Sequence, residues 1–414
     1  MTRKALNPIT LATIVVIMYI TMPIVSIFIS TYITTYAYML LAVFLIGFIL
    51  LSGGIDRLSV IIRFTFPLLI YIACTLSTYT RANSIVMWGY QSMLFILPVI
   101  LGLYYMYYRP ENVKIFSVII IILFFVTIAT TITGLIRFPN AARILATIAS
   151  SDDTQAIEYW WHNIGGYDFI YSCVLLYPIL ILCHKLRKIN RITFIAVFVL
   201  ILTLIIVSEY TIALLLFIIS SILYFASRRL SARQLFVLGI VAFVLMFIFW
   251  GLVEKFLLWL ADILNSESVS DRLTAIAGGV EGLENAEDNR LELYRMSFNS
   301  FLSSPLFGRI FGGKSFAGGH AFILDCLADY GILGGAALVL AYRNIYRYFF
   351  KPFRENIGYG YVLWAFVQAI ILSTVNTGMW LILLTFFIPI LLKFIYKFDI
   401  GDAYEDIMDS QYAD

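Results

Sequence analysis

Long apolar runs, each closed by a short polar interruption, set the rhythm of this chain. A bilayer-spanning helix needs about 20 apolar residues. Runs near that length fall at 9–30, 33–52, 58–78, 84–106, 113–136 and 167–184, and again at 234–251, 321–342, 359–375 and 378–396. Between these two groups the run 192–226 is long enough for one helix, but Ser208, Glu209 and Tyr210 interrupt it. Lys185, Arg187, Lys188 and Arg191 precede the run, and Arg228, Arg229 and Arg233 follow it. A single helix would set these basic loops on opposite sides of the membrane, against the positive-inside tendency, whereas two short helices keep both inside. The pattern therefore predicts about twelve spans, with both termini cytoplasmic and two long loops outside, 137–166 and 252–319.

The second loop carries patterns of its own. Leu252, Phe256, Trp259, Leu260 and Ile263 recur at helical spacing beside Glu254, Lys255 and Asp262, which fits an amphipathic helix lying on the outer surface or a continuation of the preceding span. Asn289 followed by Glu292 resembles a capping box, and Leu291, Tyr294, Phe298, Phe301 and Leu302 then mark one helical face, stopped by Pro305.

Composition removes most other classes. The chain of 414 residues is 62% hydrophobic and 13% charged with a mean hydropathy of +0.93, too apolar for a soluble domain with a wet surface. The fold expected is an all-α polytopic integral membrane protein forming a single transmembrane domain over 1–414. A net charge of +3 gives no basis for a nucleic-acid partner. Cys74, Cys173, Cys183 and Cys326 lie in or beside apolar runs without metal-ligand spacing, so neither a disulfide framework nor a zinc site is expected. Thr2, Arg3 and Lys4 precede a first apolar run longer than a signal-peptide core and without a small-residue cleavage pattern, which reads as a retained helix.

Residues 288–335 carry an ordered set of chemistry-bearing positions. Arg290 opens a helix that ends in Ser304, Pro305, Leu306, Phe307 and Gly308; a glycine-rich passage leads to Gly318, Gly319 and His320; Asp325 and then Tyr330, Gly331, Ile332, Leu333 and Gly334 follow. In the first loop stand Phe138, Pro139, Asn140, Ala141, Ala142 and Arg143. Order and spacing resemble the signature of the bacterial O-antigen and capsular polysaccharide polymerases, the Wzy type, in the O-antigen polymerase and ligase superfamily. One departure is Ala321, at a position where ligases typically have asparagine and many polymerases serine.

The resemblance implies a GT-C-like glycosyltransferase architecture in the bacterial cytoplasmic membrane. It implies a metal-independent enzyme, without cofactor, that moves a growing glycan from undecaprenyl diphosphate to the nonreducing end of the next lipid-linked repeat unit. Donor and acceptor are then both undecaprenyl diphosphate-linked oligosaccharides, and membrane lipids and a chain-length regulator are the further partners. Within that reading Arg143, Arg272 and Arg290 bind the diphosphate, since guanidinium donates paired hydrogen bonds to phosphate oxygens. His320 is the catalytic candidate, as base or as imidazolium contact to phosphate. Asp325, Tyr330 and Glu209 are candidates for orienting His320 or binding sugar, and Trp161 and His162 for stacking on sugar or sitting in an interfacial belt.

Two other functions compete: a ligase with a different acceptor, and a flippase or exporter of lipid-linked sugars. A transporter concentrates ionisable residues near the bilayer midplane and often shows repeated halves, whereas only Arg63 falls clearly inside an apolar run and no repeat is visible. Gly308, Gly313, Lys314 and Ser315 meet the spacing of a phosphate-binding P-loop, but that motif works only between a strand and a helix.

Overall fold

The structure is a computed structural model that describes residues 7–34, 36–81, 85–147, 154–226, 290–311, 319, 321–376 and 378–397, with isolated positions between 255 and 274. Every regular element among them is a helix, so the strand a P-loop requires is missing there. The span expected at 234–251 and most of the amphipathic helix expected over Leu252–Ile263 lie outside the described residues.

Among the described residues six helices are long and apolar enough to cross a bilayer, and four further apolar helices of 10–17 residues accompany them. α1 (Pro8–Thr21) starts at Asn7, whose side chain accepts from the Ile9 N–H. α2 (Pro23–Tyr32) leaves α1 at 107°, so the single helix expected over 9–30 is broken. The cause is local: Pro23 has no N–H to continue the ladder and holds Met22 extended, at φ −118° and ψ 105°.

α3 (Ala37–Arg81) is one run of helical hydrogen bonds, where the sequence pattern predicts two helices. Its ends nonetheless meet the same partner. Met39 Sδ lies against Gly89, and the Trp88 indole N–H donates to Ile72 O at 3.0 Å. A straight helix would hold residues 39 and 72 about 50 Å apart, and bond lengths confine them to roughly half that. α3 therefore doubles back between two apolar arms, Ala37–Leu51 and Ser59–Thr78, which recovers the expected pair as one bent element. Both arms pack on α4 (Ile85–Leu103), which runs into a π-helical turn at Tyr104–Tyr108.

α5 (Val113–Arg137) leads into the first long loop, which holds the short helices α6 (Ala141–Thr147) and α7 (Thr154–Trp161). α8 (Tyr167–Lys185) returns, and α9 (Arg191–Ser208) begins at Asn190, whose side chain caps the Thr193 N–H at 2.7 Å. The break at Glu209 and Tyr210 is a true reversal. The rings of Phe198 and Phe217 lie 5.2 Å apart, where a continuous helix would separate them by about 28 Å. α10 (Thr211–Ala226) thus pairs antiparallel with α9, with Glu209 in the left-handed region at φ 59°.

The C-terminal part comprises α11 (Arg290–Ser303), α12 (Phe322–Ile345) with a π turn at Tyr346–Phe350, α13 (Tyr359–Val375), and a π turn at Leu383–Phe387 joined to α14 (Ile388–Tyr396). The straight span expected at 321–342 is not straight. Gly331, at φ 60° and ψ −158°, breaks α12, and the Leu327 side chain meets the Cβ direction of Gly335 at 2.5 Å. Those two residues would be about 12 Å apart along an unbroken helix. Residues 322–330 are therefore a half-helix folded against residues 332–345.

The helix ends sort into two faces. At one, Lys185 sits over the Tyr361 ring at 4.9 Å, and Phe353 stacks on Tyr396. At the other lie α6, α7, the Glu209 turn and the break of α12. The positive-inside rule puts the first face in the cytoplasm. In a background lacking the four native cysteines, Glu158→Cys should therefore react with an impermeant maleimide added to intact spheroplasts, and Glu355→Cys only after the membrane is opened. The reverse labelling would overturn this orientation.

Candidate functional site

The described part of the signature folds as one unit around the break in α12. A break frees backbone groups, which in an apolar medium must find new partners. Ile332 N–H donates to Pro305 O at 2.8 Å and Leu333 N–H to Leu306 O at 3.2 Å, while Arg309 N–H donates to Asp329 O at 2.8 Å. Such close backbone approach excludes side chains. A Cβ on Gly331 would stand 2.5 Å from Leu306 O, and one on Gly308 2.5 Å from Asp329 O; both glycines have positive φ. Tyr330, flanking the break, is buried with its ring edge-on to Tyr71 and its hydroxyl 3.0 Å from Thr78 Oγ1. It ties α12 to α3, so the sequence candidate for sugar contact is engaged in packing.

The half-helix starts at Ala321, the residue after His320. Asp325 reaches back with both carboxylate oxygens: Oδ2 accepts from the Ala321 N–H at 2.9 Å and Oδ1 from Ser297 Oγ at 2.6 Å. The acid thus caps the helix start, where its charge also suits the dipole, and it fastens α11 alongside. Tyr294 adds a second tie, donating to Val375 O at 3.2 Å, and the Phe322 N–H donates to Asn376 O at 2.9 Å. The Ala321 methyl is buried.

α11 turns small polar positions inward. Its buried positions include Ser297 and Ser300, while Phe298 and Leu302 are about half exposed. Small polar residues let α11 approach α12 closely, and its apolar positions turn outward, the reverse of a soluble helix.

A chain of rings joins α8, the Glu209 turn and the α13–α14 connection. Tyr210 lies 5.5 Å from Tyr167 and 5.7 Å from Tyr171, and Tyr171 lies 6.0 Å from Trp380. The Tyr210 hydroxyl donates to Ala142 O at 2.7 Å, which holds the helix bearing Arg143 over this ring cluster. Asn376 and Trp380 are buried, yet Asn376 Nδ2 and Trp380 Nε1 find no partner among the described residues. Asp168, in the first turn of α8, is exposed.

The structure thus brings the α6 backbone at Arg143, the Glu209 turn, Asp325 and the start of the half-helix to one end of the bundle. For Arg143 and Arg290 the backbone alone is described; His320 and Arg272 lie outside the described residues. Trp161 and His162 sit apart: Trp161 is edge-on to Tyr32 at 6.1 Å, His162 lies over Phe138 at 5.2 Å, and neighbouring Asn163 accepts from the Ile24 N–H. That layer pins α7 to α2. Ser297, Asn376, Trp380 and Asp168 were not singled out from sequence. The polar gap Asn376–Gly378 between apolar runs, and an acid just inside the run 167–184, were the available signals.

No three His, Cys, Asp or Glu side chains converge as metal ligands among the described residues, and all four cysteines are free. Comparison with protein-family models, with curated proteins and with solved structures finds no match for this chain.

Two substitutions test the unit. Gly331→Ala adds both left-handed strain and a backbone clash, and should cost about 2 to 5 kcal/mol of stability. Gly319→Ala has positive φ but nothing within 4 Å, and should cost only about 1 to 2 kcal/mol. Thermal unfolding of the detergent-purified variants measures the difference; equal losses would refute the docking argument. Asp325→Ala should likewise cost about 1 to 2 kcal/mol by removing the cap, and Asp325→Asn should recover part of it.

Proposed function

We propose that this protein is a polysaccharide repeat-unit polymerase of the bacterial cytoplasmic membrane, with about twelve spans and a GT-C-like architecture. It transfers a growing glycan from undecaprenyl diphosphate to the nonreducing end of the next lipid-linked unit at the outer face. The observation that carries this reading is the half-helix start beside His320, set within the bundle and bound to the helix that Arg290 opens. The Ala321 and Phe322 N–H groups there are already bound to Asp325 and Asn376, so anion binding in this reading rests on the arginines, which supply the paired donors a leaving diphosphate needs.

In this mechanism Arg143, Arg290 and Arg272 neutralise the diphosphate as the glycosidic bond to it breaks. His320 takes the proton from the acceptor hydroxyl, and Asp325 acts by positioning the backbone next to it. The protein works without metal or cofactor. Asn376 offers an amide donor that has no partner among the described residues. A chain-length regulator is the natural protein partner.

A deletion strain tests the reaction class: single repeat units on the final acceptor identify a polymerase, and long chains left on lipid identify a ligase. At residue level, His320→Ala should leave donor binding intact and lower turnover by about 10²- to 10⁴-fold. His320→Gln should fail as badly, because an amide is no base. Arg290→Lys should lose nearly as much activity as Arg290→Ala, since one missing donor to a developing anion costs about 3 to 4 kcal/mol. Purified protein with lipid-linked repeat unit, product length read on a gel and donor binding measured separately, gives the answer. Normal polymerisation by the glutamine variant would remove His320 from the reaction.

A further inference from the structure

On the opposite face, remote from the site above, α5, α8, α9 and α14 enclose a cavity of about 860 Å³. Along α5 its lining runs from Val113 to Ile128, a length of about 22 Å, comparable with much of the roughly 30 Å hydrocarbon thickness. Its walls are graded. The inner part is lined by Phe124, Ile128, Leu176 and Ile201, and past Thr193 no hydrogen-bonding side chain other than a cysteine thiol faces it. Ile121 and Phe125, also in the lining, are each 40% exposed, so the cavity opens sideways.

The mouth is basic. Lys114, Lys188 and Lys397 line it, and Lys393, buried in its wall, donates to Met106 O at 2.5 Å. Glu111 is the acid in the lining, and it is held from outside by Arg109 at 3.4 Å. No ion pair joins Lys114, Lys188 or Lys397 to a described residue. An apolar slot with a cationic rim at the depth of the membrane surface matches one kind of molecule in both shape and charge.

We infer that this cavity binds an anionic membrane phospholipid, with an acyl chain between α5 and α9 and the phosphate at Lys114, Lys188 and Lys397. Lysines at a membrane surface favour anionic over zwitterionic headgroups, and the lateral opening gives a bilayer lipid direct entry. The site is independent of the glycan reaction, so the two readings stand or fall separately.

The test uses full-length protein in mixed micelles holding equal phosphatidylglycerol and phosphatidylcholine, with retained lipid read by native mass spectrometry. Wild type should retain phosphatidylglycerol roughly tenfold over phosphatidylcholine, and K188Q/K397Q should lose most of that preference. Phosphatidylglycerol with a photoreactive acyl chain should label the tryptic peptide between Lys114 and Arg137 in the wild-type protein, a readout that needs no variant. Inorganic phosphate at millimolar concentration should not reduce that labelling. Equal retention of the two lipids, an unchanged preference in the double variant, labelling scattered over other helices, or displacement by phosphate alone would each overturn the assignment.

Discussion

The fold at the candidate site rests on one requirement, that backbone groups released in an apolar medium be hydrogen-bonded again. Breaking α12 at Gly331 strands the N–H groups of Ile332 and Leu333 and the carbonyl of Asp329. The segment after α11 supplies all three partners, and only two facing glycines allow the chains close enough to do so. The break, the docking of Ser304–Gly308 and the placement of α11 are therefore one structural decision. Its consequence is a half-helix whose first residue stands inside the bundle, next to His320.

A second theme is the use of short helices. α10, α13 and the π turn joined to α14 are shorter than the six spanning helices. The buried rings of Tyr171, Tyr210 and Trp380 lie beneath α6 of the first long loop, to which the Tyr210 hydroxyl is bonded. At the other face Lys114, Lys188 and Lys397 give the cavity between α5 and α9 its basic rim. One bundle thus holds a cluster of buried rings toward one end and an amphipathic slot at the other.

Much of this was legible in the chain. Apolar run lengths were enough to place the long apolar helices, and basic loops were enough to split 192–226 at Glu209, because a hydrophobic run and its flanking charge respond to the bilayer directly. Pro23 and Gly331 fall inside the expected runs 9–30 and 321–342 and break them, although each acts through its own covalent geometry. What a residue type cannot state is which partner it meets. Asp325 became a helix cap tied to Ser297, Tyr330 became a packing residue against Thr78, and the apolar positions of α11 turned outward. The doubling of α3 and of α12, and the meeting of Asn376 with the half-helix, are likewise contacts between segments far apart in sequence. Periodicity reports the environment along one element, whereas these contacts depend on how far a neighbouring helix reaches, and only the packed bundle decides that.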